Sequence, residues 1–336
     1  MKRLLLTVMA MAVCICAMPI TAGAKSINLT YSNFFPPTHV QSKLAQEWCD
    51  EVAKRTDGRV TVAYFPGGTL TKAKQCYDGV VEGISDIGMS ALAYSRGRFP
   101  TMAAVDLPLG YKSGHAATAV ANAVYDKFNP KELKDVAPMY FHAHSPGLLF
   151  TAKKPVKTLE DLKGMKLRGT GNSAQLLKAL GASPVAMSMP DTYQAIRKGV
   201  VSGGVYPMET NKGWKMGEVV DFCTLDYPVG YTTTFFVVMN KEKWNSIPKQ
   251  DQIIITEINK EWAIMHGQAW DESDEAGREF LTKKGGKFIE LSKAEGQRWK
   301  DKAAPMMDNY IKKANKKKLD GKAILDFTVG TLDSVQ

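Results

Sequence analysis

The feature that most limits the fold is one long amphipathic run, residues 249–284. Ile255, Ile258, Trp262, Met265, Ala269, Ala276 and Phe280 recur at spacings of three and four, with one position skipped. That period places them along one face of an α-helix. About 35 residues at 1.5 Å each extend ~50 Å, well beyond the diameter of one small domain. A helix of that length needs two bodies to cross. The 336 residues of the chain agree with about two domains, at ~100–200 residues each.

The rest of the chain reads as alternating strands and helices. Residues 27–32 alternate as a half-buried strand does. Val40, Leu44, Trp48 and Val52 mark a helix that ends at Gly58, and residues 59–65 return as a strand before the turn Pro66-Gly67-Gly68. A helix over 72–82, a strand over 84–89 and a helix over 114–128 follow, then strands over 139–144 and 148–152. A second set begins with a short segment at 159–162. It continues as strand 165–168, helix 173–180, strand 183–186, helix 191–198 and segment 201–206. The Thr-, Phe- and Val-rich run 231–239 reads as a strand returning to the first set. This alternation implies an α/β fold in two layered units.

The first 24 residues have the order of an export signal. Lys2 and Arg3 precede an apolar run to about Met18, and Pro19 and the small residues Thr21-Ala22-Gly23-Ala24 follow. Cleavage is expected after Ala24, which makes the protein periplasmic. The apolar run is short for a bilayer span, which needs about 20 residues. Removal of the signal takes Cys14 and Cys16 with it and leaves Cys49, Cys76 and Cys223. An oxidising compartment permits a disulfide, and Cys49 with Cys76 is the pair that two neighbouring helices could bring together. No C-x-x-C occurs, so zinc and redox motifs have no support.

The formal charge of +10 raises nucleic acid as a partner. Two of those charges lie in the signal. Five more, Lys312, Lys313, Lys316, Lys317 and Lys318, fall within seven residues that lack interleaved aromatics. That cluster reads as a solvated helix face, and nucleic acid is not expected.

Three motifs bear on chemistry. Gly169-Thr170-Gly171-Asn172-Ser173-Ala174 follows a strand and opens a helix, as a dinucleotide fingerprint does. Asp191 stands about 20 residues on, yet it follows Pro190 at a helix start, where an N-cap belongs, so no cofactor is expected. The helix start itself favours an anion. Arg168, just before it, carries a planar fork that matches a carboxylate. His142-x-His144 puts two imidazoles on one strand face, but no third ligand stands at a suitable spacing, and a buried hydrogen-bonded pair is the reading. No H-E-x-x-H, G-x-S-x-G or P-loop is present, and no catalytic residues are assigned.

Several segments together resemble one family. Asp161-Leu162-Lys163-Gly164-Met165-Lys166-Leu167-Arg168 is similar to the "DLKGxKxR" element of the extracytoplasmic solute-binding subunits of TRAP transporters (tripartite ATP-independent periplasmic transporters, DctP type). Leu180–Val185, Tyr193 with Gly199-Val200-Val201, Asp106-Leu107-Pro108, Arg55–Val60 and Phe65–Leu70 resemble it in the expected order. The resemblance implies a two-domain periplasmic-binding-protein fold, type II-like, with hinge strands and a long helix spanning both domains. The expected domains are 25–148 with about 235–265, then 149–234. The long helix occupies 249–284, and a helical segment over 285–336 packs across both.

The resemblance also implies a protein that closes on an organic acid and delivers it to the TRAP membrane permease. Arg168 matches the family's carboxylate-binding arginine. Two departures bear on the ligand. Tyr206 and Val205 stand where many relatives have the Asn and Glu of a "DGxEN" run, and the strand at 148–150 lacks a second arginine that several relatives carry. Both remove polar groups. The expectation is a monocarboxylate with an apolar or aromatic body, such as an aromatic 2-oxo or amino acid, with a branched-chain 2-oxo acid as the alternative. Phe34, Phe35, Tyr94, Tyr206 and Tyr231 are the expected aromatic walls. His39, Gly169, Asn172, Pro207 and Glu209 complete the expected contacts. The other functional readings are an exported enzyme on the same scaffold and a sensory subunit that presents the ligand. A monomer is expected.

Overall fold

The structure, a computed structural model, describes residues 26–336. The expected export signal, with Cys14 and Cys16, lies outside the described residues. The first lobe opens with strand β1 (Ile27–Asn33), helix α1 (Val40–Arg55), strand β2 (Val60–Phe65), helix α2 (Cys76–Val81) and strand β3 (Ile87–Ala91). Helix α3 (Gly114–Phe128) and strand β4 (Val136–Ala143) complete it. The Ser113 hydroxyl accepts from the Ala116 amide at the start of α3, and Asn129, at φ 40°, turns the chain away at its end.

The second lobe runs through β5 (Gly147–Thr151), β6 (Lys166–Gly169), α4 (Gly171–Ala179) and β7 (Ser183–Ala186). Helix α5 (Met189–Arg197), strand β8 (Gly203–Pro207), the single turn α6 (Thr210–Gly213) and β9 (Phe222–Leu225) follow. Strand β10 (Thr234–Asn240) then returns to the first lobe. It lies between β3 and β4 in a sheet of order β2-β1-β3-β10-β4, antiparallel to both neighbours. Every residue of β10 except Asn240 is buried, as expected of an apolar strand covered on both faces. Edge strand β4 carries Pro138 opposite Val238, where a register shift absorbs the missing amide.

After α7 (Lys241–Ser246), helix α8 spans Lys249–Lys283, 35 residues or about 50 Å. It packs on α1, α3 and β4 in the first lobe and on α6 in the second. Trp48 Nε1 donates to Asn259 at 2.9 Å, and Trp262 Nε1 to the Leu44 carbonyl at 2.7 Å. Asp271 accepts from the Gly114 and His115 amides at the start of α3, and Asp274 accepts from the Glu209 amide at 2.9 Å. A Cβ on Gly277 would collide with the Met208 carbonyl, so only glycine lets α8 sit this close to the second lobe.

The segment after α8 is not wholly helical. Strand β11 (Lys287–Glu290) pairs with β9 and completes a second sheet, β11-β9-β5-β8-β6-β7. Helices α9 (Lys293–Ala303), α10 (Pro305–Lys316) and α11 (Gly321–Val335) then cross from the second lobe to α3. The five clustered lysines are exposed along α10 and just past it.

The expected Cys49–Cys76 disulfide is not formed; all three described cysteines are free and buried. Cys49 belongs to the core on the α1 and α8 face of the first sheet, and Cys76 to the core on the α2 and α3 face. The sheet separates the thiols. Cys49 donates instead to the Ala45 carbonyl one turn back.

Candidate functional site

Among the described residues the chain passes between the lobes at residues 144–146, at residues 226–233, along α8 and again through α9 to α11. Gly147 donates its amide to the Tyr231 carbonyl, and a Cβ there would strike the Tyr231 ring. Asp106 accepts from the Thr234 amide and hydroxyl, both at 2.8 Å, where β10 re-enters the first sheet. Across the seam, Gly171 at the start of α4 meets Ala93 of the first lobe.

Arg168 lies at this seam on β6, beside Gly204 of β8. A Cβ on Gly204 would come within 2.9 Å of the Arg168 Cβ, so glycine leaves room for the arginine to lie across the strand. Its Nε donates to the Met187 carbonyl at 3.2 Å and Nη1 to the Val205 carbonyl at 3.0 Å. The residue is 4% exposed and has no carboxylate within ion-pair distance among the described residues. Two backbone carbonyls orient the guanidinium, but no counter-charge neutralises it.

Phenols surround it. Tyr94 and Tyr206 are pushed up from the ordinary phenol value by burial, with Arg168 opposing the shift. Burial raises Tyr231 in the same way. The Tyr94 oxygen accepts from the Met189 amide at 3.0 Å, and the Tyr206 hydroxyl has no partner. Tyr206 stacks flat on Phe150, with centroids 4.5 Å apart. Burial, with Arg168 adding to it, brings His144 down to about 4, so it is neutral near pH 7.

Phe34 and Phe35 come from the loop after β1. Phe34 stacks on Trp214 at 5.9 Å and on Phe235 at 6.3 Å, and Phe35 packs against Trp270. Glu209, just past β8, faces the same slot. Its Oε2 is 3.2 Å from His39 Nε2, a contact whose angles are too poor for a hydrogen bond, and its Oε1 has no partner. The space left between these groups is about 30 Å³, room for two or three waters. Two larger concavities, about 730 and 780 Å³, lie elsewhere on the molecule. Neither holds a buried cation, so the narrow slot is the chemically equipped one.

Of the expected residues, Arg168, Phe34, Phe35, Tyr94, Tyr206, Pro207, Glu209 and Tyr231 line the slot together, and His39 stands behind Glu209. Gly169 and Asn172 fall outside it. Gly169 is a packing glycine, since a Cβ would strike Ala174 of α4 at 2.9 Å. Asn172 turns away and donates to the Ala103 carbonyl at 2.8 Å. The start of α4 is closed by Ser173, whose Oγ accepts from the Thr170 amide, and offers less to an anion than expected. His142 is buried and accepts from Trp270 Nε1 at 3.0 Å. Among the described residues no cluster of three or more His, Cys, Asp or Glu could hold a metal. Sequence reasoning missed Trp214, Phe235, Trp270, Met189 and Thr233 as lining residues. Trp270 had a signal, being a tryptophan one position past Ala269 on the long apolar face.

Residues 31–313 match the family described as bacterial extracellular solute-binding protein, family 7, DctP. The chain belongs to that family. The chain is similar in structure to three TRAP solute-binding proteins of known structure. One, from Desulfovibrio salexigens, is 33% identical, with 93% of this chain and 97% of that one covered and a TM-score of 0.81; it was crystallised as an open complex. One from an unidentified marine metagenome microbe, specific for aromatic acid ligands, holds metahydroxyphenylacetate. It is 28% identical, covers 93% and 100%, and has a TM-score of 0.88. One from Bordetella bronchiseptica holds (R)- and (S)-mandelate, at 29% identity, 92% and 100% coverage and a TM-score of 0.86. All three are TRAP solute-binding proteins, and this TRAP solute-binding protein shares their fold.

Proposed function

We propose that this TRAP solute-binding protein is exported to the periplasm and works there as a monomer. It captures an aromatic monocarboxylate between its lobes and hands it to the membrane permease subunits of a TRAP transporter. The observation that carries the reading is Arg168, a buried guanidinium without a counter-ion at the end of an aromatic slot. An isolated buried charge is costly, and a ligand carboxylate supplies the missing partner. The walls of Phe34, Trp214, Phe235 and Tyr206 suit a flat apolar body. The aromatic acids held by two relatives support the same class. The lobes, residues 26–146 with β10 and most of α8, and 147–233 with β11, part at the two connecting segments to admit it. No described helix is long and apolar enough to cross a membrane.

A thermal-shift screen against an organic-acid library tests the reading. A ligand at 100 times its Kd adds about 2.7 kcal/mol, which raises Tm by roughly 5 °C for a chain of this size. Benzoates, phenylacetates and mandelates are expected to do so. Stabilisation by C4 dicarboxylates or sugar acids alone refutes the aromatic class, and stabilisation by branched-chain 2-oxo acids alone shifts it to that alternative.

A further inference from the structure

Resting on the reading that the slot takes an aromatic monocarboxylate, we infer that Glu209, backed by His39, receives a hydroxyl carried on the ligand's ring. It thereby sets a preference for hydroxylated over bare aromatic acids. Glu209 is 2% exposed and lines the slot, and among the described residues its Oε1 has no partner. A carboxylate oxygen accepts hydrogen bonds, so the unpartnered Oε1 suits a donor. The carboxyl is held in place on three sides. Its backbone amide is bound by Asp274 of α8 at 2.9 Å, its other oxygen lies 3.2 Å from His39 Nε2, and Gly213 has no Cβ, which would collide with both side chains.

His39 is directed by its own bond. Nδ1 accepts the Gln41 amide at the start of α1, so the ring's N–H is on Nε2, the nitrogen nearer Glu209. His39 belongs to the first lobe and Glu209 to the second, so this acceptor is assembled only when the lobes meet.

The donor belongs on the ring rather than beside the acid group. The ligand's carboxylate has its donors at Arg168 and Tyr206. Arg168 pairs with Gly204 on β8, whereas Glu209 stands five positions further along the chain (204 to 209), beyond the end of that strand and against His39 and Asp274 of α8. Arg168 and Glu209 form no ion pair with each other, and aromatic side chains line the same slot. An α-ammonium stays within ~3 Å of its own carboxylate oxygens, a separation set by two bonds of covalent geometry. A hydroxyl across the ring reaches further.

The test is calorimetric titration of benzoate, its 2-, 3- and 4-hydroxy isomers and phenylalanine into the wild-type protein, Glu209→Gln and Glu209→Ala. At least one hydroxybenzoate is expected to bind about tenfold tighter than benzoate to the wild type. Glu209→Ala should bring that ratio to about one while benzoate itself changes by less than about threefold. Glu209→Gln, which keeps an acceptor oxygen, should retain part of the preference. Equal binding of benzoate and all three isomers to the wild type overturns the inference, as does a preference that survives in Glu209→Ala. Phenylalanine binding tightest of all overturns it in favour of an ammonium. If no benzoate binds at all, the aromatic-acid reading beneath it has failed instead.

Discussion

Replacing Arg168 by Met isolates the contribution of the charge with little change in volume. The guanidinium has five N–H donors. Nε and one N–H of Nη1 are bound to the Met187 and Val205 carbonyls, which leaves three, all on the two terminal nitrogens. A ligand carboxylate can take two of them side by side. Hydrogen bonds to charged groups contribute about 1.5–3 kcal/mol each, so the pair amounts to ~3–6 kcal/mol. At 1.4 kcal/mol per tenfold, Kd should rise by a factor of roughly 10² to 10⁴.

The folded protein should tolerate the change. Two carbonyls lose donors, at about 1 kcal/mol each, but an uncompensated buried charge disappears with them. The unliganded Tm is therefore expected to move by only a few degrees, while the Tm gain on adding an aromatic acid vanishes. Arg168→Lys keeps the charge and loses the fork, so it should fall between, about 10- to 50-fold weaker. Calorimetric titration with the best-stabilising acid of the screen, alongside melting curves of both variants, reads these outcomes. A folded Arg168→Met variant that binds within threefold of wild type would refute the assignment.

Three further outcomes follow from the packing and the titrating groups. Reaction with a thiol reagent in guanidinium should count three thiols in the mature chain and almost none in the native state, because Cys49, Cys76 and Cys223 are free and buried; a count of one would mean that a disulfide exists. Gly277→Ala should lower stability by about 1–3 kcal/mol, since the new methyl meets the rigid Met208 carbonyl, and calorimetry should show Tm falling by several degrees. Burial raises Asp226 to about 7. A carboxyl whose folded value lies above its unfolded one adds stability at low pH that is lost as pH rises toward 7. Asp226→Asn, which keeps the acceptor for the Leu149 amide, should therefore be more stable than wild type at pH 8 by about 2 kcal/mol, with the difference shrinking toward pH 4. A difference independent of pH would show that Asp226 is ionised in the folded state.

The fold was legible where a period ran long enough to be read. Helices α3 and α8 and strand β7 lie at their expected places to within a residue, because apolar spacing or sharp turn residues marked them. Strands β9 and β11 were not seen. Each is four residues long, and β11 has a single neighbour, so neither carries an alternation that a window can register. Helix α2 starts four residues later than expected because residues 72–75 serve other bonds: Lys72 donates to the Gly68 carbonyl, and the Ala73 carbonyl accepts from Ser90. In the site, Arg168 stood out as a lone cation at a strand end within a family-like motif. The aromatic wall did not, because Trp214, Phe235 and Trp270 come from three elements that are distant in sequence and meet only across the seam.

That meeting also bears on what drives closure. With the lobes together and no acid bound, three polar groups that line the slot are buried without adequate partners among the described residues: the Arg168 guanidinium, the Tyr206 hydroxyl and Glu209 Oε1. Parting the lobes returns them to water, so the empty closed form is disfavoured by the desolvation of each. An apolar molecule of the right shape would fill the slot but leave all three groups unsatisfied. It would favour the closed form only by its contact area. An acid that meets Arg168 and Tyr206 at one end removes most of that penalty, and a ligand shifts the balance between open and closed forms by no more than its difference in affinity for them. On the proposed function, closure is therefore a response to the carboxylate more than to the ring. Small-angle scattering should show compaction with benzoate but not with toluene, and Arg168→Met should abolish the compaction with benzoate; equal compaction by both compounds in the wild type would make the aromatic walls, not the charge, the driver of closure.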